Sequence, residues 1–168
     1  MFRFDRHSRL AAERYEQALI NMSAERDEMI KSLNKIFVPE LRKLNFKGSF
    51  PHFRKTESEI TNLLTFQFDR DGGGFVIELA NHKGKEYITK WNEIIELKKL
   101  TAHNLTERKR IYPNSKTEKK GKKSWFRYDE KSIFSFGNKF DKLSKKAVQR
   151  IPLMVIYWDE IKPAHNSR

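Results

Sequence analysis

The chain has 168 residues, 38% of them hydrophobic, and a formal net charge of +13 at pH 7, a size that fits one domain, since domains commonly hold about 100–150 residues. Thirteen Phe, five Tyr and three Trp supply core material that disordered chains lack, and the absence of cysteine excludes disulfides, thiolate metal sites and cysteine nucleophiles. No apolar run approaches the roughly 20 residues of a membrane span, and MFRFDRHSRLAAERYEQ lacks the apolar core of a signal peptide. A soluble, unprocessed, cytoplasmic protein is therefore expected, with no membrane partner and no cofactor.

The first predicted element is helical. Leu10, Ala11, Ala18, Leu19 and Met22 recur at near-helical spacing behind Ser8, a suitable N-cap. Ser23 can cap a second stretch in which Asp27 and Glu28 lie early, where the helix dipole favours negative charge, and Met29, Ile30, Leu33, Ile36 and Phe37 form an apolar stripe extended by Leu41 and Leu44. Pro39 has no amide to bond to Lys35, so the helix should kink or restart there. A helical pair and one broken long helix fit equally well.

From Asn45 the period becomes that of strands. HFRKTE predicts a short strand. In the stretch NLLTFQFDRDGGGFVIELA, Leu64, Phe66 and Phe68 alternate with Thr65, Gln67 and Asp69, and Phe75, Ile77 and Leu79 repeat the pattern beyond the glycines. Asp71 to Gly74 therefore predicts the turn of an antiparallel hairpin. The same glycines do not make a phosphate-binding loop, which needs GxxxxGK and then Ser or Thr, nor an EF-hand, where Gly73 and Ala80 stand at positions that need oxygen ligands, nor a dinucleotide fingerprint, which must open a helix.

Further on, propensity allows a short helix from Glu93 to Leu100, Leu105 to Ile111 can supply a strand, and NSKTEKKGKK reads as an exposed lysine-rich loop. SWFRYDE is a strand-like aromatic cluster in which Trp125 and Phe126 alternate, so at least one belongs to the core. The last element is an amphipathic helix capped by Asn138, with Phe140, Leu143, Ala147, Val148, Ile151, Val155 and Trp158 facing inward and a bend at Pro152. The segments define a single α+β domain over residues 1–168, comprising an N-terminal helical extension (1–22), a core (23–161) and a tail (162–168). Helices precede a mainly antiparallel sheet on which the C-terminal helix packs.

Taken in order, LNFKGSFPHFRK, NLLTFQFDRDGGGFVIELA, LTAHNLTERKRIYP and SWFRYDE resemble the bacterial proteins grouped as domain of unknown function family 4304, over roughly residues 29–161. The resemblance implies an α+β domain of a bacterial cytoplasm. It implies no activity and carries over no catalytic residue.

Catalytic signatures are sparse. The five histidines, His7, His52, His82, His103 and His165, form no HxxxH or HExxH pair that would set two imidazoles over one metal. No GxSxG elbow is present. Asp69 and Asp71, at a hairpin tip beside Arg70, read as solvated turn residues rather than an acid–base pair. Gln67, His103, Arg108 and Arg110 can still converge across the sheet, which keeps an enzyme with an unrecognised site as one alternative.

Charge points to binding instead. Residues 98–127 hold 11 Lys+Arg against two Asp+Glu, the footprint of a surface that meets phosphates or acidic groups. Arg108, Arg110, Lys119, Lys120, Lys122, Lys123, Trp125 and Arg127 form the candidate binding surface. Its reading here is a non-catalytic binding module for a protein partner or acidic ligand. The alternative is nucleic acid, with the lysines, including Lys116, on phosphates and Arg108, Arg110, Trp125, Phe126 and Arg127 offering stacking surfaces.

Overall fold

The computed structural model describes residues 6–114, 121–130 and 138–160. It begins with a long helix, α1 (Arg6–Ile36), and a short one, α2 (Val38–Lys43). The chain does not restart at Ser23. Helix-forming neighbours carry α1 through it, and the interruption falls at Phe37, where Pro39 enters the first turn of α2 and its missing amide goes unneeded. Among the described residues, buried positions of α1 fall in its second half. Met29, Leu33 and Phe37 are fully buried, whereas Leu10 and Leu19 of the predicted early stripe are exposed.

Strands β1 (Lys47–Ser49), β2 (His52–Glu57), β3 (Ile60–Phe68), β4 (Gly74–Lys83), β5 (Glu86–Ile88), β6 (Ile94–Glu96), β7 (Lys109–Ile111) and β8 (Phe126–Arg127) follow, then helices α3 (Lys139–Val148) and α4 (Ile151–Glu160). The main sheet runs β1-β2-β3-β4-β7, with β8 also on β4, and every described pairing in it is antiparallel. The architecture is α+β, as the alternating periods predict.

The β3–β4 hairpin pairs Phe68 with Phe75 and Phe66 with Ile77, so both apolar rows share one face. That face carries the main core, in which helices α1, α3 and α4 contribute Leu33, Ala147 and Trp158 to one buried cluster with Phe66 and Phe75. Phe75 stacks on Phe126 at 4.9 Å between centroids, which settles which member of the Trp125–Phe126 pair is internal; Trp125 is half-buried. At the turn, Gly72 and Gly73 have φ of +85° and +79°, the left-handed region that glycine enters without strain.

Three local expectations need correction. Residues 93–100 do not form a helix. Thr89 Oγ1 accepts from the amides of Trp91 and Glu93, Asn92 takes φ +61°, and the resulting turn folds β6 back on β5. Asp69 is not solvated, being only 3% exposed. Its Oδ1 accepts from the Asp71 amide at 3.1 Å, its Oδ2 lies 3.4 Å from Arg127 Nη1, and its carbonyl accepts from Arg26 Nη2 at 2.6 Å. Asp71 is exposed, as expected. Finally, the C-terminal helix is two helices. Asn138 caps α3 by accepting from the Phe140 amide, and Pro152 sits in the first turn of α4. The break at residues 149–150 shifts the helical phase, so that Met154 becomes fully buried beside Trp158.

Helices α1 and α3 are joined by polar contacts. Ser32 Oγ donates to Asp141 Oδ1 at 2.7 Å and lies 2.9 Å from Ser144 Oγ. That hydroxyl, aided by Lys35, holds the Asp141 carboxyl below the usual carboxylate range.

Candidate functional site

The second face of the sheet is divided. One half is a small apolar cluster of Leu63, Ala80, Tyr87, Leu100, Ala102 and Leu105, covered by the β5–β6 hairpin and a 3-10 turn at Ala102–Asn104. Arg54 fastens this cover by donating to the carbonyls of Leu97 and Lys98. The other half is polar and lies along one cross-strand row, because the register pairs His52 with Thr65, Thr65 with Glu78 and Glu78 with Arg110. Neighbouring strands stand about 4.8 Å apart, so side chains in such a row meet directly.

Glu78 is the centre of this row and has no exposed surface. Its Oε1 accepts from Arg110 Nε at 2.9 Å and from Arg108 Nε at 3.2 Å. His103, carried in by the 3-10 turn, places Nδ1 2.6 Å from Oε2, an ion-pair distance without hydrogen-bond alignment. Arg110 Nη2 also donates to Gln67 Oε1 at 3.1 Å, and Arg108 Nη1 donates to the carbonyls of His103 and Leu105 at 3.3 and 3.0 Å. His52 Nδ1 meets Thr65 Oγ1 at 3.0 Å, and its ring stands edge-on to His103 at 5.9 Å.

The carboxylate is sealed while its partners keep contact with water. The side chains of His103, Arg108 and Arg110 are 40%, 32% and 38% exposed. One negative charge thus fixes two guanidinium groups and an imidazole, with positive charge in excess at the surface.

Burial, and then the neighbouring His103, lower the pKa of His52 from its usual 6.5. The folded state therefore takes up the His52 proton less readily than the unfolded chain. Stability from this group is complete above pH 6.5 and falls as the pH drops below it. In an imidazole NMR titration His52 should show a midpoint below 6.5, and His52→Asn should flatten the acid limb of the stability profile. A midpoint above 6.5 would contradict the burial argument.

Among the described residues, the predicted surface positions fall in two places. Arg108 and Arg110 converge on Glu78, together with Gln67 and His103. Arg127 is elsewhere, on β8, where Asp129 and Asp69 engage it and hold its guanidinium pKa above the ordinary value, the Asp129 hydrogen bond foremost. Lys116, Lys119 and Lys120 lie outside the described residues. Lys122 and Lys123 belong to the 3-10 turn Gly121–Ser124, and only their backbone is described. Sequence reasoning missed Glu78, Thr65 and His52. The available signal was a single carboxylate in the otherwise apolar run FVIELA.

Among the described residues, no group of three or more His, Asp or Glu side chains could hold a metal ion, and no helix is long and apolar enough to cross a membrane. The arrangement can do two things chemically: present oriented cationic donors to an anion, or hold His103 beside a carboxylate for proton transfer.

The fold and this cluster define an α+β domain whose polar sheet face is organised by a buried glutamate. The chain belongs to the family described as Domain of unknown function (DUF4304), whose family model matches residues 37–149. That span contains every residue of the Glu78 cluster and leaves out all of α1 and α4. The chain matches no curated protein and no solved structure.

Proposed function

We propose that this protein is a non-catalytic binding module that receives an acidic segment of a protein partner on the cations gathered by Glu78. The observation that supports the reading is the contrast between a carboxylate with no exposure and cationic partners that remain about one-third exposed. Burying a glutamate costs several kcal/mol unless it is well paired, and an apolar residue would often serve stability as well. What the glutamate supplies is geometry. Arginine forks fixed in place lose less freedom when they bind a second carboxylate, and such paired contacts are directional.

The nucleic-acid reading receives less support. Arg127 already faces two carboxylates within the chain and lies apart from Arg108 and Arg110, which shortens the basic track that a phosphate backbone would follow. For catalysis, His103 has a carboxylate neighbour, but among the described residues no hydroxyl is hydrogen-bonded to it; Thr65 is on His52.

A ten-residue poly-glutamate peptide, titrated at physiological salt while the His52 and His103 imidazole signals are followed, tests the proposal. Glu78→Gln/Arg108→Gln removes one charge of each sign and leaves net charge unchanged. Saturable binding that weakens at least tenfold in this folded variant is expected; equal binding by both proteins would overturn the proposal. Single-stranded and duplex DNA and RNA, measured by anisotropy at low and physiological salt, are expected to bind weakly and to be released by salt. Tight binding at physiological salt, abolished by Lys119/Lys120/Lys122/Lys123→Glu, would put the nucleic-acid reading in its place.

A further inference from the structure

Helix α4 is apolar on more of its circumference than the core requires. Met154 and Trp158 are buried on one face, yet Leu153 and Ile156 are 39% and 48% exposed. With Tyr157 they form a second stripe at i, i+3 and i+4, the spacing of one helical face. This stripe does not face open solvent. Together with Ile111 and Tyr112 it walls a groove of about 390 Å³ between β7 and α4, at the smaller end of ligand sites, which span roughly 300–1,000 Å³. Tyr157 closes the inner side, its hydroxyl donating to the Leu79 carbonyl at 3.4 Å, and burial raises its pKa.

The groove is polarised from end to end. Arg150 lies one turn before Leu153 and Glu160 one turn after Ile156, and both line it. The Arg150 side chain makes no hydrogen bond or ion pair among the described residues, and its Nε is buried without a partner. It is the unanswered cation of the groove, placed where the positive end of the α4 dipole also favours an anion. Lys109 adds a second positive charge to the lining.

We propose that this groove binds a small amphipathic carboxylate, with its acid group on Arg150 and its apolar body along Leu153, Ile156 and Tyr157. The Glu160 end repels a carboxylate, which fixes the orientation. The groove adjoins the Glu78 cluster, with Arg110 lining both, but Glu78, His103 and Arg108 do not line it.

The test is isothermal titration of the full chain with octanoate and, in parallel, 1-octanol, comparing the native protein with Arg150→Gln, Ile156→Asp and Leu153→Asp. None of the three residues is buried as a whole and none makes an ion pair among the described residues, and circular dichroism checks each variant. One saturable octanoate site is expected, at least tenfold tighter than for octanol. Arg150→Gln should remove that preference while leaving octanol unchanged, and each aspartate should abolish both. Absence of saturable binding, equal affinity for acid and alcohol, or octanoate affinity unaltered in Arg150→Gln would each overturn the proposal. Octanoate binding should persist in Glu78→Gln/Arg108→Gln, which separates failure here from failure of the acidic-partner reading.

Discussion

Replacing Glu78 by alanine should lower the unfolding free energy by about 3–5 kcal/mol, the usual cost of breaking a buried ion pair by removing one member. The loss arises from what remains. Arg108 and Arg110 would keep their charges over a fully buried position, where water can answer them only partly. Glu78→Gln retains volume and an oxygen acceptor and should cost less. Denaturant unfolding with an unchanged slope would measure both effects. A cost for Glu78→Ala below about 1 kcal/mol would mean that the cations relax freely into solvent, which would remove the basis for a fixed donor array.

A loss of about 3–5 kcal/mol is also expected for Phe66→Ala, the range for truncating a large buried aromatic residue. Phe66 is 2% exposed and its ring meets Phe37 at 5.2 Å, Phe50 at 5.0 Å, Phe53 at 6.3 Å and Phe75 at 5.9 Å between centroids. Its truncation would open a cavity where the α1–α2 junction, β2 and β4 all meet. Phe66→Leu should recover more than half of the loss, because most of the volume is restored. The same denaturant titration decides this; near-equal stability of the alanine variant would show that these neighbours collapse into the space.

The parts of the fold that were legible in the sequence are those whose cause is local. Phe66 and Phe68 before the glycines, and Phe75 and Ile77 after them, carry strand alternation long enough to define a hairpin and its inward face. Asn138 and Pro39 act through their own backbone or side chain, so those boundaries were visible, whereas Pro152 marked a bend and not the break that precedes it. The β5–β6 hairpin was not, because three-residue strands are too short for a period and the turn depends on Thr89 bonding amides ahead of it. Asp69 was misread for a related reason. Its burial comes from Arg26 and Arg127, 43 and 58 residues away.

The candidate site was legible only in outline. Gln67, His103, Arg108 and Arg110 were visible as polar residues able to meet, but the group around which they meet was not. In FVIELA, alternation turns Glu78 away from Phe75 and Ile77, which in a two-layer domain ordinarily means towards water. It is sealed by the return of the chain through residues 102–110, and that depends on β7 pairing with β4.

The Ser32 contacts with Asp141 and Ser144 join positions 109 and 112 residues apart, whereas β1 to β4 pair each with the next along the chain. Short loops close at lower entropic cost than long ones. During refolding the meander should therefore condense before the two ends of the chain find each other, with the α1–α3 contact as the late, closing event. Pulse-labelled amide exchange would record it as protection of β3 and β4 ahead of α3. The serines between these helices would then act as the fastener of a structure already largely formed, and changes there should speed unfolding more than they slow folding.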